Sequence, residues 1–259
     1  SLGRALRRLR QRVLARLIAR DLGGRAELGE VVATVTGLAE VAIRTATAQL
    51  HRDLAAVHGE PRGATDGTPQ ELHVVGMGKL GGAELNASSD IDLVLVYPED
   101  GETGGDRPLS NHEFFTRLAR RLIGALSEWT EDGFVFRVDT RLRPYGDSGP
   151  LVVSLDMLEN YLITQGRAWE RYAWIKGRPL TGDQQDNIKL GPGGIREIEF
   201  IAQVFQLIRG GHERALQQQS TLPVLAVLGE RGFIAPAAVG ELSAAYVFLR
   251  NLEHRLQYR

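Results

Sequence analysis

Apolar residues recur at helical spacing along the first part of the chain. Leu6, Leu9, Val13 and Leu17, with Leu14 and Ile18, form one stripe over residues 1–22. The same stretch holds seven Arg and no acid before Asp21, so it predicts an amphipathic helix with a cationic, solvated outer face. A second helix is expected from about Glu30 to Val57, rich in Ala and Val and free of internal Pro. Pro61, Gly63, Gly67 and Pro69 then mark a linker or long loop. The period changes after it. Leu72 to Gly76 reads as a short apolar strand that runs into Gly76-Met77-Gly78-Lys79-Leu80-Gly81-Gly82. Asp90 to Tyr97 alternates and then becomes continuously apolar, as a half-buried and then central strand does. A polar loop over residues 99–108 precedes a helix over Asn111 to Trp129, with Phe115, Leu118, Leu122 and Leu126 on one face. Gly133 to Leu142 predicts a third strand, closed by Pro144 and Gly146. Beyond Leu155 the pattern is helical, at about 155–177, 194–209, 222–230 and 237–257.

This layout predicts a helical lead over residues 1–60, a catalytic core over 61–178 and a helical bundle over 179–259. With 259 residues and 43% hydrophobic positions, the chain can bury a substantial core. Its 31 Lys+Arg against 32 Asp+Glu argue against gripping nucleic acid by bulk charge. The absence of cysteine excludes disulfides, thiolate-ligated metals and thiol catalysis. No apolar run approaches the ~18 residues of a membrane span, and the basic start lacks the ~7–15-residue apolar core of a signal peptide. The expectation is a cytoplasmic protein with neither nucleic acid nor membrane as partner. Of the 31 cations only Lys79, Lys176 and Lys189 are Lys. Genome bias explains the Arg excess most simply, but it leaves those three positions as questions.

Chemistry concentrates on the strands. Residues two apart on a strand share a face, so Asp90 and Asp92 project together, opposite Ile91, Leu93 and Leu95. Adjacent carboxylates repel unless a cation sits between them, and hard oxygen donors suit Mg²⁺. On the third expected strand Arg137, Asp139, Arg141 and Arg143 share one face. That arrangement is either a structural ion-pair ladder or a third metal ligand amid phosphate-binding cations. Twelve residues before Asp90, Gly78 follows a strand and opens an expected helix, where backbone can approach a phosphate. Ser88 and Ser89 add hydroxyls beside Asp90. A glycine-rich turn, a helix, a Ser-Asp-x-Asp strand and a later strand with one more Asp resemble the polymerase-β-like nucleotidyltransferase superfamily. The resemblance implies an α+β core with a mixed sheet. Where that superfamily usually has Ser after the first glycine, this chain has Lys79, which can aim a mobile point charge at a phosphate.

Four blocks narrow the resemblance: GMGKLGGAELNASSDIDLVLVYPE, DGFVFRVDTRLRPYGDSGPLV, GRAWERYAWIKGR and NIKLGPGGIREIEFIAQVFQLIRGG. In this order they resemble the glutamine synthetase adenylyltransferase/adenylyl-removing enzyme family, which carries two nucleotidyltransferase units in one polypeptide. Asn86 to Asp92 and Gly193 to Phe200 resemble the front, adenylyl-removing unit more than the rear one. One departure is the short PLTGDQQD between Arg178 and Asn187, where the family usually has a longer, more basic stretch.

The resemblance implies phosphorolysis: adenylylated glutamine synthetase plus orthophosphate gives the unmodified enzyme and ADP. Asp90, Asp92 and Asp139 are then the Mg²⁺ ligands, with Gly78, Lys79, Ser88, Ser89, Arg141, Arg143 and Lys176 around the phosphates. Arg178 is a further candidate for phosphate contact. The Gly193-Gly194 amides with Arg196 offer a second anion position. Glu197 heads the apolar stripe Ile201, Val204 and Ile208, which fits a salt bridge as well as a site role. Trp169 and Trp174 read as core, and no histidine has a partner at metal-ligand spacing. Regulation by a PII signalling protein is implied by the resemblance alone. Two rival readings stand beside this one. They are ATP-dependent adenylylation of the same tyrosine, and a nucleotide-sensing module that has lost turnover.

Overall fold

The structure is a computed structural model that describes residues 2–182, 198–199, 201–202, 205, 213–218 and 220–256. The chain divides into two units, residues 1–182 and 183–259.

In the first unit α1 (Leu2–Leu22) and α2 (Leu28–His58) pack with α4 (Asn111–Ser127) against one face of a mixed sheet. The sheet is built on β3 (Ile91–Tyr97). β2 (His73–Gly76) runs antiparallel along one edge of β3, and β7 (Arg178–Pro179) extends the sheet beyond β2. Along the other edge β5 (Val138–Asp139) and β6 (Val153–Ser154) pair parallel with the start and the end of β3. Both faces of β3 are covered, which is why its sequence becomes continuously apolar. Ile91, Leu93, Leu95 and Tyr97 join the core with Phe114, Phe115, Leu38 and Ile43. Val94 and Val96 face the other way, into a smaller cluster with Val75, Met77, Val153 and Leu158. Asp92 lies on that second face, at the end of β3 that the cluster leaves uncovered.

Among the described residues α2 alone is long and apolar enough to cross a bilayer, contrary to the expectation that no segment would be. Val35, Leu38, Ala39, Ala42, Ile43, Ala46 and Leu54 all pack in the core, so its apolar content is that of a buried helix. Ser110 caps α4 by accepting from the Glu113 amide. Ser154 caps α5 (Leu155–Thr164) in the same way, through the Met157 amide.

Several elements depart from the expected pattern. The linker and the polar loop pair with each other, as β1 (Pro61–Gly63) and β4 (Gly101–Thr103). Asn111 pins them by donating to the carbonyls of Arg62 and Glu99, at 2.8 and 2.9 Å. The expected strand over 133–142 contracts to Val138–Asp139, because the chain turns from Thr140 onward. The helix expected over 155–177 breaks at Gln165–Arg167 and resumes as α6 (Ala168–Ala173), followed by a 3₁₀ turn over Trp174–Lys176. Trp174 packs on the second cluster, whereas Trp169 stands exposed rather than in the core. The helix expected after Gly78 is the single turn α3 (Gly78–Gly81).

In the second unit, α7 (Thr221–Glu230) and α8 (Pro236–Leu256) pack around Val224, Leu225 and Leu228 with Ile198, Ala202 and Leu216. Glu199 accepts from Tyr246 and Arg250, at 3.0 and 2.9 Å. Lys189, Gly193, Gly194, Arg196 and Glu197 lie outside the described residues.

Candidate active site

Backbone pairing brings the three aspartates together. Asp92 and Asp139 are register partners on the parallel strands β3 and β5, so their side chains leave the same face about one strand spacing apart. Asp90 precedes β3 by one residue, and the Ile91 amide donates to the Arg137 carbonyl at 2.9 Å. On the other edge the Met77 amide donates to the Asp92 carbonyl at 2.8 Å, which sets the glycine-rich turn directly beside the carboxylates.

Two glycines of that turn are there for different reasons. Gly78 has φ +53, and a Cβ on it would stand 2.7 Å from Asp92 Oδ2. At Gly81 a Cβ would fall 1.6 Å from the Lys176 carbonyl oxygen, so only glycine lets the Trp174–Lys176 turn lie against α3.

Electrostatics separates the carboxylates. Burial, then the neighbouring Asp139 and Asp90, push the Asp92 carboxyl above its ordinary pKa, while Arg141 and Lys79 oppose the shift. Among the described residues its oxygens meet no hydrogen-bond donor. Asp139 is held below its ordinary value, chiefly by hydrogen bonds from Arg141. The Arg141 amide reaches Asp139 Oδ1 at 2.9 Å, and its Nε reaches Oδ1 and Oδ2 at 3.0 and 2.9 Å. Asp90 is paired with Arg137 Nε, whose Nη2 also donates to the Ser88 carbonyl at 2.7 Å.

The remaining expected phosphate contacts divide. Ser88 and Ser89 lie in the turn before Asp90, and Lys79 is close enough to Asp92 to favour its charged form. Arg143 is turned inward: its guanidinium donates to Thr140 O and Oγ1 at 2.9 and 2.7 Å, to Gly149 O and to Asp147 O. Lys176 Nζ pairs with Glu84 at 3.0 Å beside α3. Arg178 donates to the carbonyls of Leu80 and Gly81 and to Glu40 on α2, so it fastens α3 rather than reaching outward.

The donors are hard oxygens, Asp92 is raised by burial and then by two like charges, and Gly78 presents no side chain against its carboxylate. These features fit Mg²⁺. Among the described residues, however, no three carboxylate or imidazole groups already stand as a ligand set, because Asp90 and Asp139 are turned to their arginines.

Residues 1–191 match the family described as glutamate-ammonia ligase adenylyltransferase. The chain belongs to that family. Residues 176–259 also match the family described as GlnD PII-uridylyltransferase. Among curated relatives of this adenylyltransferase family, the chain is similar to the bifunctional glutamine synthetase adenylyltransferase/adenylyl-removing enzyme of Aromatoleum aromaticum. The two are 56% identical over 295 residues, which is 98% of this chain and 31% of that protein. The protein of the same name from Chromobacterium violaceum is 54% identical over 298 residues, 100% of this chain and 33% of that protein. The chain therefore spans about a third of the length of these relatives. The aligned lengths exceed 259, so the relatives carry additional residues inside the matched span.

Two features of the site escaped the motif reading. Arg137, expected on one face with Asp139, pairs instead with Asp90, and no spacing rule assigns it that partner. Gly81 sits in a run of glycines whose individual tasks no spacing rule separates.

Proposed function

We propose that this chain removes AMP from an adenylyl-tyrosine of glutamine synthetase by phosphorolysis, on a polymerase-β-like nucleotidyltransferase core. The observation that carries the proposal is the pairing of Asp92 with Asp139 beside Asp90, with the Gly78 turn against the same carboxylate. The names of the relatives supply the substrate class, and the Asn-x-Ser-Ser-Asp-Ile-Asp block supports the adenylyl-removing direction.

Asp90, Asp92 and Asp139 would hold two Mg²⁺. Bound there, Mg²⁺ supplies charge stabilisation to the transferring phosphoryl group and to the attacking and leaving oxygens. The rest falls to the protein. The Gly78 turn leaves room beside Asp92 for a phosphate, and Lys79 offers a charge on a flexible stem. An orthophosphate oxygen bonds to the adenylyl phosphorus while the tyrosyl oxygen–phosphorus bond breaks. The tyrosyl oxygen then takes up a proton, and ADP leaves. With a pKa of ~10, tyrosine leaves without a dedicated strong acid. The setting in the proposal is cytoplasmic, with a PII signalling protein as regulator.

The test is phosphate-dependent ADP release from adenylylated glutamine synthetase. Asp90→Asn with Asp92→Asn abolishes it, and near-normal release would remove the metal assignment. Label transfer from ATP to unmodified glutamine synthetase would favour adenylylation instead. Nucleotide binding with no product in either direction would favour a sensing module.

A further inference from the structure

Two of the three carboxylates are already engaged by guanidinium groups from their own neighbourhood. Arg137 holds Asp90, and Arg141 closes around Asp139 through its amide, Nε and Nη2. A divalent ion competes for those same oxygen lone pairs, so each arginine must give way before its carboxylate can turn toward the ion. Both are exposed enough to do so, Arg141 by leaving only Asp139 and Arg137 by leaving Asp90 and the single Ser88 carbonyl. The Arg137 and Arg141 side chains are 57% and 72% exposed; the Arg137–Asp90 pair is exposed on both sides, and such pairs are worth no more than about fivefold in an equilibrium constant, while Asp139 is the more sheltered carboxylate. A released guanidinium presents a planar fork that matches phosphate oxygens as well as it matches a carboxylate. Arg143 contrasts with both. Its side chain is 11% exposed and braced by backbone carbonyls of the 140–149 turn, so it has no such freedom.

We propose that Arg137 and Arg141 are exchangeable counter-ions that couple metal binding to phosphate binding. Each trades its aspartate for a phosphate-bearing ligand and thereby opens Asp90 and Asp139 to a divalent cation. The proposal rests on the metal-site reading given above. Linkage makes the coupling reciprocal, so phosphate tightens the metal as much as the metal tightens phosphate. The two arginines are thus positioning residues for the ligand carboxylates and phosphate contacts in the loaded site. The structure assigns this double duty to those two and withholds it from Arg143.

The experiment measures Mn²⁺ binding to the 259-residue chain from the paramagnetic resonance signal of free Mn²⁺. Inorganic phosphate is present or absent, and a protein-free blank corrects for direct chelation. In the wild-type chain phosphate tightens Mn²⁺ by about two- to fivefold. Without phosphate, Arg141→Gln binds Mn²⁺ more tightly than wild type by a similar factor, and its phosphate increment shrinks toward one. Arg141→Lys, which keeps the charge and loses the fork, falls between them. Among the described residues the Arg141 side chain bonds only Asp139, so the fold tolerates these changes, and Arg137→Gln repeats the test at the second pair. Unchanged Mn²⁺ affinity in the Gln variants, or an undiminished phosphate increment, overturns the proposal. So does a Lys variant equal to wild type beside a tighter Gln variant, because bulk charge would then explain the effect. An absence of Mn²⁺ binding under every condition overturns this proposal and the metal reading together. Mn²⁺ binding without coupling overturns this proposal alone.

Discussion

Gly78 and Gly81 lie three residues apart in one turn, and replacing each by alanine separates the demands of the site from those of the fold. At position 78 the φ of +53 costs a residue with a Cβ about 1–2 kcal/mol. The new methyl would also stand 2.7 Å from Asp92 Oδ2, but a carboxylate can rotate away. Gly78→Ala therefore lowers stability by about 1–2 kcal/mol and displaces Asp92 from its place beside Asp139. At position 81 the methyl would meet the Lys176 carbonyl oxygen at 1.6 Å and the Gly76 carbonyl oxygen at 2.6 Å. Both are backbone atoms, Gly76 in β2 where it pairs with Arg178 of β7 and Lys176 in the turn that leads into β7, so no side chain can give way. The strands and the 3₁₀ turn must separate instead, at a cost on the order of 3 kcal/mol or more. Urea unfolding of both variants, with ADP release and Mn²⁺ binding measured alongside, provides the comparison. Both lose activity, but Gly81→Ala loses clearly more stability. The reasoning fails if Gly81→Ala stays within about 0.5 kcal/mol of wild type, or if the two variants lose stability equally.

The Asp92 carboxyl is pushed up by burial and by Asp139 and Asp90, so the folded chain keeps that proton to higher pH than the unfolded chain does. Stability from this group is therefore lost as pH rises from the ordinary carboxylate range through the raised value. Asp92→Asn in EDTA is accordingly more stable than wild type at neutral pH, and the gap closes on acidification. Thermal melts from about pH 4 to 7 test this, and a gap independent of pH would contradict it. In the core, Phe114 is fully buried between His51 and Phe115, with ring centroids 5.3 and 5.4 Å away. Phe114→Ala costs about 3–5 kcal/mol in denaturant unfolding, and a loss below about 1 kcal/mol would show that the helix layer closes over the cavity.

The elements that could be read from sequence are those whose pattern reflects burial. The continuous apolar run of β3 and the helical stripe of α4 predict their own packing, because both faces of β3 and one face of α4 are covered by core side chains. β1 and β4 were not legible as strands. Each has three residues, and their pairing is fixed by Asn111 and by the close approach of Gly101 to the Arg62 carbonyl rather than by alternation. The same difference accounts for the overlong third strand. Phe134 and Phe136 alternate with Arg137 and Asp139, but only Phe136 is fully buried; Phe134 lies under Arg10 and against Trp129.

At the site, spacing alone grouped Asp90 with Asp92, since residues two apart on a strand share a face; the family resemblance added Asp139, and the parallel register of β3 and β5 sets Asp139 beside Asp92. What spacing could not assign was the work of the three arginines interleaved with Asp139. Along an ideal strand Arg137, Arg141 and Arg143 are equivalent. The chain leaves the strand after Asp139, and that single event separates them. Arg137 stays beside β3 and meets Asp90. Arg141, at the start of the turn, folds back on Asp139 through both its amide and its side chain. Arg143, deeper in the turn, is consumed by the carbonyls that a turn leaves unpaired. An alternating run of charge therefore identifies where cations gather, but the position at which the strand ends decides which of them remain available to a ligand.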